Sequence, residues 1–592
     1  MKQFFVTMAG VFAGLVLFFI CLPFLLIAVA AGSSRPAMTS GAAVLSLDLR
    51  RGLTDQSSPN PFANFGRSSL SVMSVVQALH GAERDGRVKA LFVRLPEGGM
   101  EPAAADELRL AFKRFEAAGK PVIAHSQGLY PSGVITSTYM LGASASELWM
   151  QPGAPFQAVG LASQDLFFKR FFDKYGVKVN FEQRYEYKNA VNGYLYDDYT
   201  AAHRESSLSW MGSVYQSALN AVAADRRMNP ATLRSTIEAG PYNADDARAK
   251  GLIDKLGQVV EARDAALADG GSNAKLVDLE DYAANAAASG AGAIGGPTIA
   301  VVNAEGDIMT GPPGGDGFST SSNINSDDIS NALMTAANDK AVKAIVFRLS
   351  SPGGSDTASE QILAAVRVAK AQKPVVVSMG TYGASGGYWV SSGASAIVAE
   401  PTTLTGSIGV YGGKFVLGDA LSRFGVDMRQ LSVGGDYAAA EGSAQEFTPK
   451  QRAQFSAAID RVYDGFITRV SVGRHLPVDR VRQIARGRVW TGAQALQLGL
   501  VDEVGGFYQA VDRAKALSGL SGQTVRLKTV SAHHSPFEAF ERAMGVSSTS
   551  LRTLMATAQL LSDPKAQSLL DEIGQARLRS QGANLLEPVR VR

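Results

Sequence analysis

Short apolar runs alternate with longer amphipathic stretches along most of the chain. Ala344–Leu349 carries the pattern of a buried strand. Thr357–Ala371 brings apolar residues back at helical spacing, and Pro374–Met379 reads as a second strand. Strands and helices taking turns in this way predict an α/β architecture. The plan occurs twice. RVKALFVRLPEGG (87–99) matches AVKAIVFRLSSPGG (341–354), and Lys120-Pro121 leads a strand as Lys373-Pro374 does. LGASASELWMQP (141–152) answers SSGASAIVAEP (391–401), and AKGLIDKLGQVVEARDAA (249–266) answers QLGLVDEVGGFYQAVDRA (497–514). A repeat this long is a whole domain rather than a solenoid unit. The pattern places a first domain at 42–283 and a second at 298–520, joined by a linker at 284–297 rich in small uncharged residues. An extension, 521–592, has no visible counterpart in the first repeat.

One segment breaks the alternation. Phe4–Ala31 is 28 residues without a charge, and at about 1.5 Å per residue a helix of that length spans a hydrocarbon core of about 30 Å. Ala28-Val29-Ala30 would pass as a signal-peptidase site, but the apolar core of a cleaved signal is about 7–15 residues. The reading is therefore a retained membrane anchor over 1–34, N-terminus inside and bulk outside. The extension carries apolar helical stripes, in TSLRTLMATAQLLSDPKAQSLLDEIGQARL, of the kind that pack on a partner or on the body of the protein.

Composition narrows the functional classes. An apolar fraction of 46% with 19% charged residues suits a folded chain. A net charge of +3, with no basic stripe, gives nucleic acid nothing to bind. The single cysteine, Cys21, lies inside the apolar run, so the soluble part can form neither a disulfide nor a thiolate metal site. No metal or cofactor is expected.

The two repeats differ where chemistry would be. GTYGASGGYW (380–389) sets Ser385 among glycines between a strand and a segment able to start a helix. A side chain there projects from a turn, beside backbone N–H groups free to stabilise an oxyanion. Pro352-Gly353-Gly354 ends another strand and can add a donor. The bland alternative is a close-packed turn. In the first repeat the serine aligned with Ser385 is Ser132, preceded by proline and followed by one glycine. A serine also needs a base. None of His80, His125, His203, His475, His533 and His534 occurs in a recognisable triad setting. Lysine can serve if neutral, which requires its pKa to fall by about 3 units from about 10.4. Lys188, in RYEYKNAV of the first repeat, has two tyrosines close by and no counterpart in GGDYAAAEGS of the second. Residue type alone leaves it a solvated surface lysine.

SPGGSDTASE (351–360), ASGGYW (384–389) and PTTLTGSIGVYG (401–412) together resemble the long, tandem-domain form of the bacterial signal peptide peptidase A family, the Ser–Lys peptidases of family S49. The resemblance covers both repeats and the anchor. It implies two crotonase- or Clp-protease-like α/β domains behind an N-terminal transmembrane helix. It makes Ser385 the nucleophile, Lys188 the general base, Ser407 the residue that orients the lysine, and Gly354 and Gly386 the oxyanion donors. It also implies a homotetramer at the periplasmic face of the bacterial inner membrane, cutting left-over signal peptides and similar apolar peptides. The lysine motif departs from the family's usual Tyr-Lys-Ser-Ala by reading Tyr-Lys-Asn-Ala, followed by Asn192-Gly193-Tyr194. Asp197-Asp198 match an acidic pair of the family and are expected to cap the next helix. Two other readings stay open: a crotonase-type acyl-CoA enzyme, and an inactive scaffold that binds apolar peptides or membrane partners.

Overall fold

The computed structural model describes residues 41–56, 70–288, 296–312 and 323–531. The apolar run 4–31 with Cys21, the striped tail, and His533 and His534 lie outside the described residues. Among the described residues no helix is long and apolar enough to cross a membrane.

The first repeat is built on β1 (Ala43–Asp48), β2 (Val88–Arg94), β3 (Val122–Ser126) and β4 (Glu147–Met150), departs through β5 (Lys178–Arg184), and returns with β6 (Lys255–Leu256) and β7 (Lys275–Asp278). Its parallel sheet has the order β6-β4-β3-β2-β1-β7. The second repeat supplies β8 (Thr298–Glu305), β9 (Val342–Ser351), β10 (Val375–Ala384), β11 (Ala396–Ala399), β12 (Leu404–Gly406), β13 (Val410–Val416), β14 (Val489–Thr491), β15 (Glu503–Val504) and β16 (Arg526–Thr529). Its path β15-β11-β10-β9-β8-β16 copies the first sheet strand for strand. Even the irregularity repeats: the register slips between Ala43 and Val44 against β2, and between Thr298 and Ile299 against β9.

Both sheets are parallel, apart from the antiparallel β12–β14 pair at one edge of the second, and covered by helices, so their central strands read as nearly continuous apolar runs. Val342–Ser351 buries nine of its ten residues. The helix Asp356–Gln372 is capped by Ser355, whose hydroxyl accepts from Ala358 N, and Ile362, Leu363 and Val366 face the core. The second repeat differs in one respect that matters. β3 stops at Ser126, whereas β10 runs on through Ala384 and pairs with β12 as well as β11.

Three expectations change. Arg526–Thr529 was assigned to an extension without counterpart, but it pairs with β8 as β7 pairs with β1, so the second repeat ends later. The helix Leu279–Ala288 runs into the stretch expected to be linker, where the alanines favour helix; 289–295 lie outside the described residues. The helix Ala201–Asp225 is capped by Thr200, whose hydroxyl accepts from His203 N, and not by the acidic pair. Asp198 accepts from Tyr199 N and pairs with Arg204 instead.

The repeats meet over a buried charged network. Arg348 of β9 bonds Asp55 (Nη2–Oδ1 2.5 Å) and Glu107 (Nη1–Oε2 2.9 Å), both from the first repeat. Glu107 also accepts from Phe507 N at the start of the helix Phe507–Leu517, capping a helix of the other repeat. Glu400 has no hydrogen-bond partner for either carboxyl oxygen among the described residues and lies against Glu107. Burial, then the Glu107 and Asp106 charges, push it well above the ordinary 4.5. Burial and the facing Asp55 push Glu305 up to about 7.

A carboxyl whose pKa is raised by folding binds more protons in the folded chain than in the unfolded one. Its contribution therefore falls as pH rises through the interval between the two values. His125 works in the opposite sense below its ordinary 6.5, because burial lowers it. The clean comparison is thus with Glu305→Gln, which removes the proton site and keeps an acceptor for one of the Asp55 and Gln56 amides, each of which donates to a different carboxylate oxygen. Its melting temperature is expected to gain on the parent's between about pH 5 and about pH 8. A constant difference across that range would remove Glu305 from the linkage.

Candidate active site

The loop after β5 and the loop before β13 are brought together by an antiparallel ribbon of those two strands, one from each repeat. Its register runs from Val416↔Lys178 to Val410↔Arg184. Lys188 lies just beyond the Arg184 end of one strand, and Ser407 just before the Val410 end of the other. Seven consecutive cross-strand pairs thus fix a lysine from the first repeat beside a serine from the second.

Lys188 Nζ stands 3.0 Å from Ser385 Oγ, 2.7 Å from Ser407 Oγ and 3.2 Å from the Ser407 carbonyl oxygen. All three residues are fully buried, where residue type alone would leave the lysine solvated at the surface. Two of them hold unusual backbone: φ is +54° at Ser385 and +49° at Ser407. Such values cost a non-glycine residue of order 1–3 kcal/mol and persist only where the surroundings over-determine them. Here the determinants are visible. Ser385 N donates to Gly406 O at 2.9 Å, Trp389 N to Ser385 O at 2.9 Å, and Ser407 N to Arg488 O at 2.7 Å. Ser385 is the residue at which β10 turns without a linker into the helix Gly386–Ser391.

The glycine loop meets that turn. Ile308 N donates to Gly353 O and Ser355 N to Ile308 O, so the bridge uses the peptide groups flanking Gly354 and leaves its own N–H facing the other way. A Cβ on Gly386 would stand 3.1 Å from Gly354 N, and one on Gly387 2.7 Å from Ser351 O. The backbones of Gly354 and Gly386 therefore approach each other closely beside Ser385.

A third segment, unnoticed in the sequence, clamps the lysine. Arg486 O accepts from Tyr185 N and Tyr187 N, and Gly487 N donates to Ile408 O. Gly487 has φ +82°, and a Cβ there would fall 2.5 Å from Lys188 Cβ, so only glycine permits the approach. The Arg488 guanidinium lies over the Tyr187 and Trp490 rings and pairs with Glu205 at 2.6 Å. No sequence pattern marks this Arg-Gly-Arg segment, and Arg486 itself holds a positive φ of 61°.

The first repeat shows the same frame closed. Tyr139 Oη donates to Leu252 O and Tyr388 Oη to Leu500 O, which makes the two tyrosines equivalent. Counting back, Thr136 and not Ser132 occupies the place of Ser385. The alignment on Ser132 was displaced because the segment between strand and tyrosine is four residues longer in the first repeat. That extra length folds inward: Ser132 O accepts from Gly99 N at 2.6 Å, consuming the amide equivalent to Gly354. Ala158, at the spacing of Ser407 from the shared proline, has no hydroxyl to offer. His125 is fully buried and bonds Gly257 O through Nε2, a packed histidine far in role from a base. No cluster of His, Cys, Asp and Glu able to hold a metal occurs among the described residues.

Comparison with known proteins agrees with this frame. The model of Peptidase family S49 matches residues 114–271 and 367–521, one segment in each repeat. Protease 4 of Salmonella typhi is 33% identical over 515 residues, covering 83% of this chain and 80% of its own. Protease 4 of Haemophilus influenzae is 33% identical over 466 residues, 76% of this chain and 73% of its own. A chloroplastic serine protease SPPA of Arabidopsis thaliana is 28% identical over 487 residues, 80% of this chain and 68% of its own.

Proposed function

Because the chain belongs to peptidase family S49 and is a serine peptidase, we propose that it cuts apolar peptides with a Ser385–Lys188 dyad. The acyl-CoA and inactive-scaffold readings lapse with that membership. One observation carries the proposal: a fully buried amine 3.0 Å from the hydroxyl of a strained serine, itself at the start of a helix.

In this mechanism neutral Lys188 takes the Ser385 hydroxyl proton as Oγ attacks the scissile carbonyl. The carbonyl oxygen becomes an oxyanion and accepts from the Gly354 and Gly386 amides; such a donor is worth about 2.7–4 kcal/mol in the transition state. The lysine, now an ammonium, returns its proton to the departing amine, leaving an acyl-serine. Water then hydrolyses the ester with Lys188 again as base. Ser407 holds the amine on line through hydroxyl and carbonyl. Burial away from water is the setting in which an amine gives up its charge most readily.

The natural substrates in this reading are signal peptides left in the membrane after cleavage. The run 4–31 anchors the chain in the bacterial inner membrane as a single pass, with the peptidase on the periplasmic side. Both repeats are crotonase- or Clp-protease-like units, and like chains assemble, as a homotetramer. Reaction with a fluorophosphonate tests the nucleophile: the full chain should carry one adduct on Ser385 and lose turnover of an apolar peptide. Ser385→Ala should neither label nor turn over. Peptide hydrolysis that survives Ser385→Ala would reject the assignment.

A further inference from the structure

The Lys188 amine is held to two hydroxyls of the other repeat, although a lysine stem is long and flexible. Its placement has to come from what grips the loops on either side. Three consecutive residues do so. Arg486 O accepts from Tyr185 N and Tyr187 N, Gly487 N donates to Ile408 O, and Arg488 O accepts from Ser407 N. One tripeptide thus spaces the loop of the lysine from the loop of Ser407.

The Arg488 side chain extends that grip. Its guanidinium lies 4.9 Å from the ring centre of Tyr187, the residue before Lys188, and 4.3 Å from that of Trp490. Trp490 is itself fixed, since its indole N–H donates to Ile484 O at 2.9 Å. Its Cδ1 stands 2.8 Å from where a Cβ on Gly406 would be. Gly406 leads into Ser407, and its carbonyl accepts from Ser385 N at 2.9 Å. Contacts therefore run from lysine to serine through Tyr187, Arg488, Trp490 and Gly406. Glu205, on the helix Ala201–Asp225, accepts from Arg488 Nη2 at 2.6 Å. Half of the Glu205 side chain is exposed, and an exposed ion pair contributes little. Arg488 Nε is buried and meets no acceptor among the described residues. A side chain that leaves a donor unused but keeps two rings is there for its flat face.

We infer that Arg488 is a positioning residue: through Tyr187 and Trp490 it sets the separation of the Lys188 amine from the Ser385 hydroxyl. This rests on the dyad put forward above. A misplacement of about 1 Å in a reacting pair costs about 10²-fold in rate, and it need not touch substrate binding.

Arg488→Ala in the full chain opens a slot against both rings and tests the role. Its kcat on an apolar peptide should fall about 10²-fold, with KM held within about twofold. Guanidinium chloride, well below the concentrations that unfold proteins, should refill the slot and raise kcat about tenfold. The parent should not respond. Ammonium chloride at the same concentration carries the charge without the plane and should leave the variant slow. Arg488→Lys keeps a cation for Glu205, and it carries the test should Arg488→Ala not fold. It should melt like the parent with kcat about tenfold down. Equal revival by the two salts, or parental kcat in Arg488→Lys, would reduce Arg488 to a counter-ion of Glu205 and overturn the inference. So would a melting temperature that falls in step with kcat while neither salt revives turnover. Ser385→Ala, assayed alongside, separates the two readings. Turnover there overturns the dyad and the placement together. A parental kcat in Arg488→Ala, with Ser385→Ala inert, overturns the placement alone.

Discussion

Lys188→Met is expected to lower kcat by about 10⁴-fold, the upper end of what a positioned general base contributes, with KM held within about twofold. Methionine keeps the unbranched stem that packs against Gly487 and removes only the amine, so the loop and its clamp have no reason to move. KM should hold because the amine is fully buried and reaches the reaction only through Ser385 and Ser407. The measurements are steady-state kinetics on an apolar peptide and a thermal melt showing an unshifted transition. A variant that melts normally and keeps parental kcat would end the dyad. Some other base would then have to be found, and no buried histidine among the described residues lies at Ser385.

The second large effect comes from a residue that touches no substrate. Arg348→Met leaves Asp55 and Glu107 buried without their cation, and breaking a buried ion pair from one side typically costs about 3–5 kcal/mol. Both carboxylates belong to the first repeat and the arginine to the second, so the loss falls on the contact between repeats. Activity should fall along with stability, although Arg348 is no part of the proposed chemistry, because that contact keeps Lys188 in reach of Ser385. Adding Asp55→Asn and Glu107→Gln removes the stranded charges and should restore most of the melting temperature. If the single variant melts like the parent, the network is ornamental. If the triple variant melts no higher than the single, the cost lies in lost packing rather than in unpaired charge.

The sequence made the repeat, the strand-helix alternation and the key side chains readable because each leaves a local trace. Apolar runs mark buried parallel strands, and the glycines about Ser385 mark a turn with close backbone approach. What it hid were relations between distant segments. Arg348 sits in an apolar strand and looks like an interruption until Asp55 and Glu107 arrive from the other repeat. Arg486, Gly487 and Arg488 carry no signature of a clamp on a lysine about 300 residues earlier in the chain. Ser132 misled for a related reason: a four-residue insertion slides one Pro-Ser-Gly against another Ala-Ser-Gly, and only the paired tyrosine hydrogen bonds set the true equivalence. β16 escaped notice because four residues with three polar side chains do not read as a strand.

The two partners of the proposed dyad are 197 residues apart in the chain, on either side of the segment joining the repeats. During synthesis the first repeat leaves the ribosome carrying a lysine with nothing to activate. The second carries a serine with no base until β5 and β13 have paired. A broad-acting peptidase made as one continuous sheet would be competent as soon as its core closed, with its own unfolded remainder as the nearest peptide. Dividing the pair between two domains postpones competence until both have folded and docked, so each half stays inert until it meets the other.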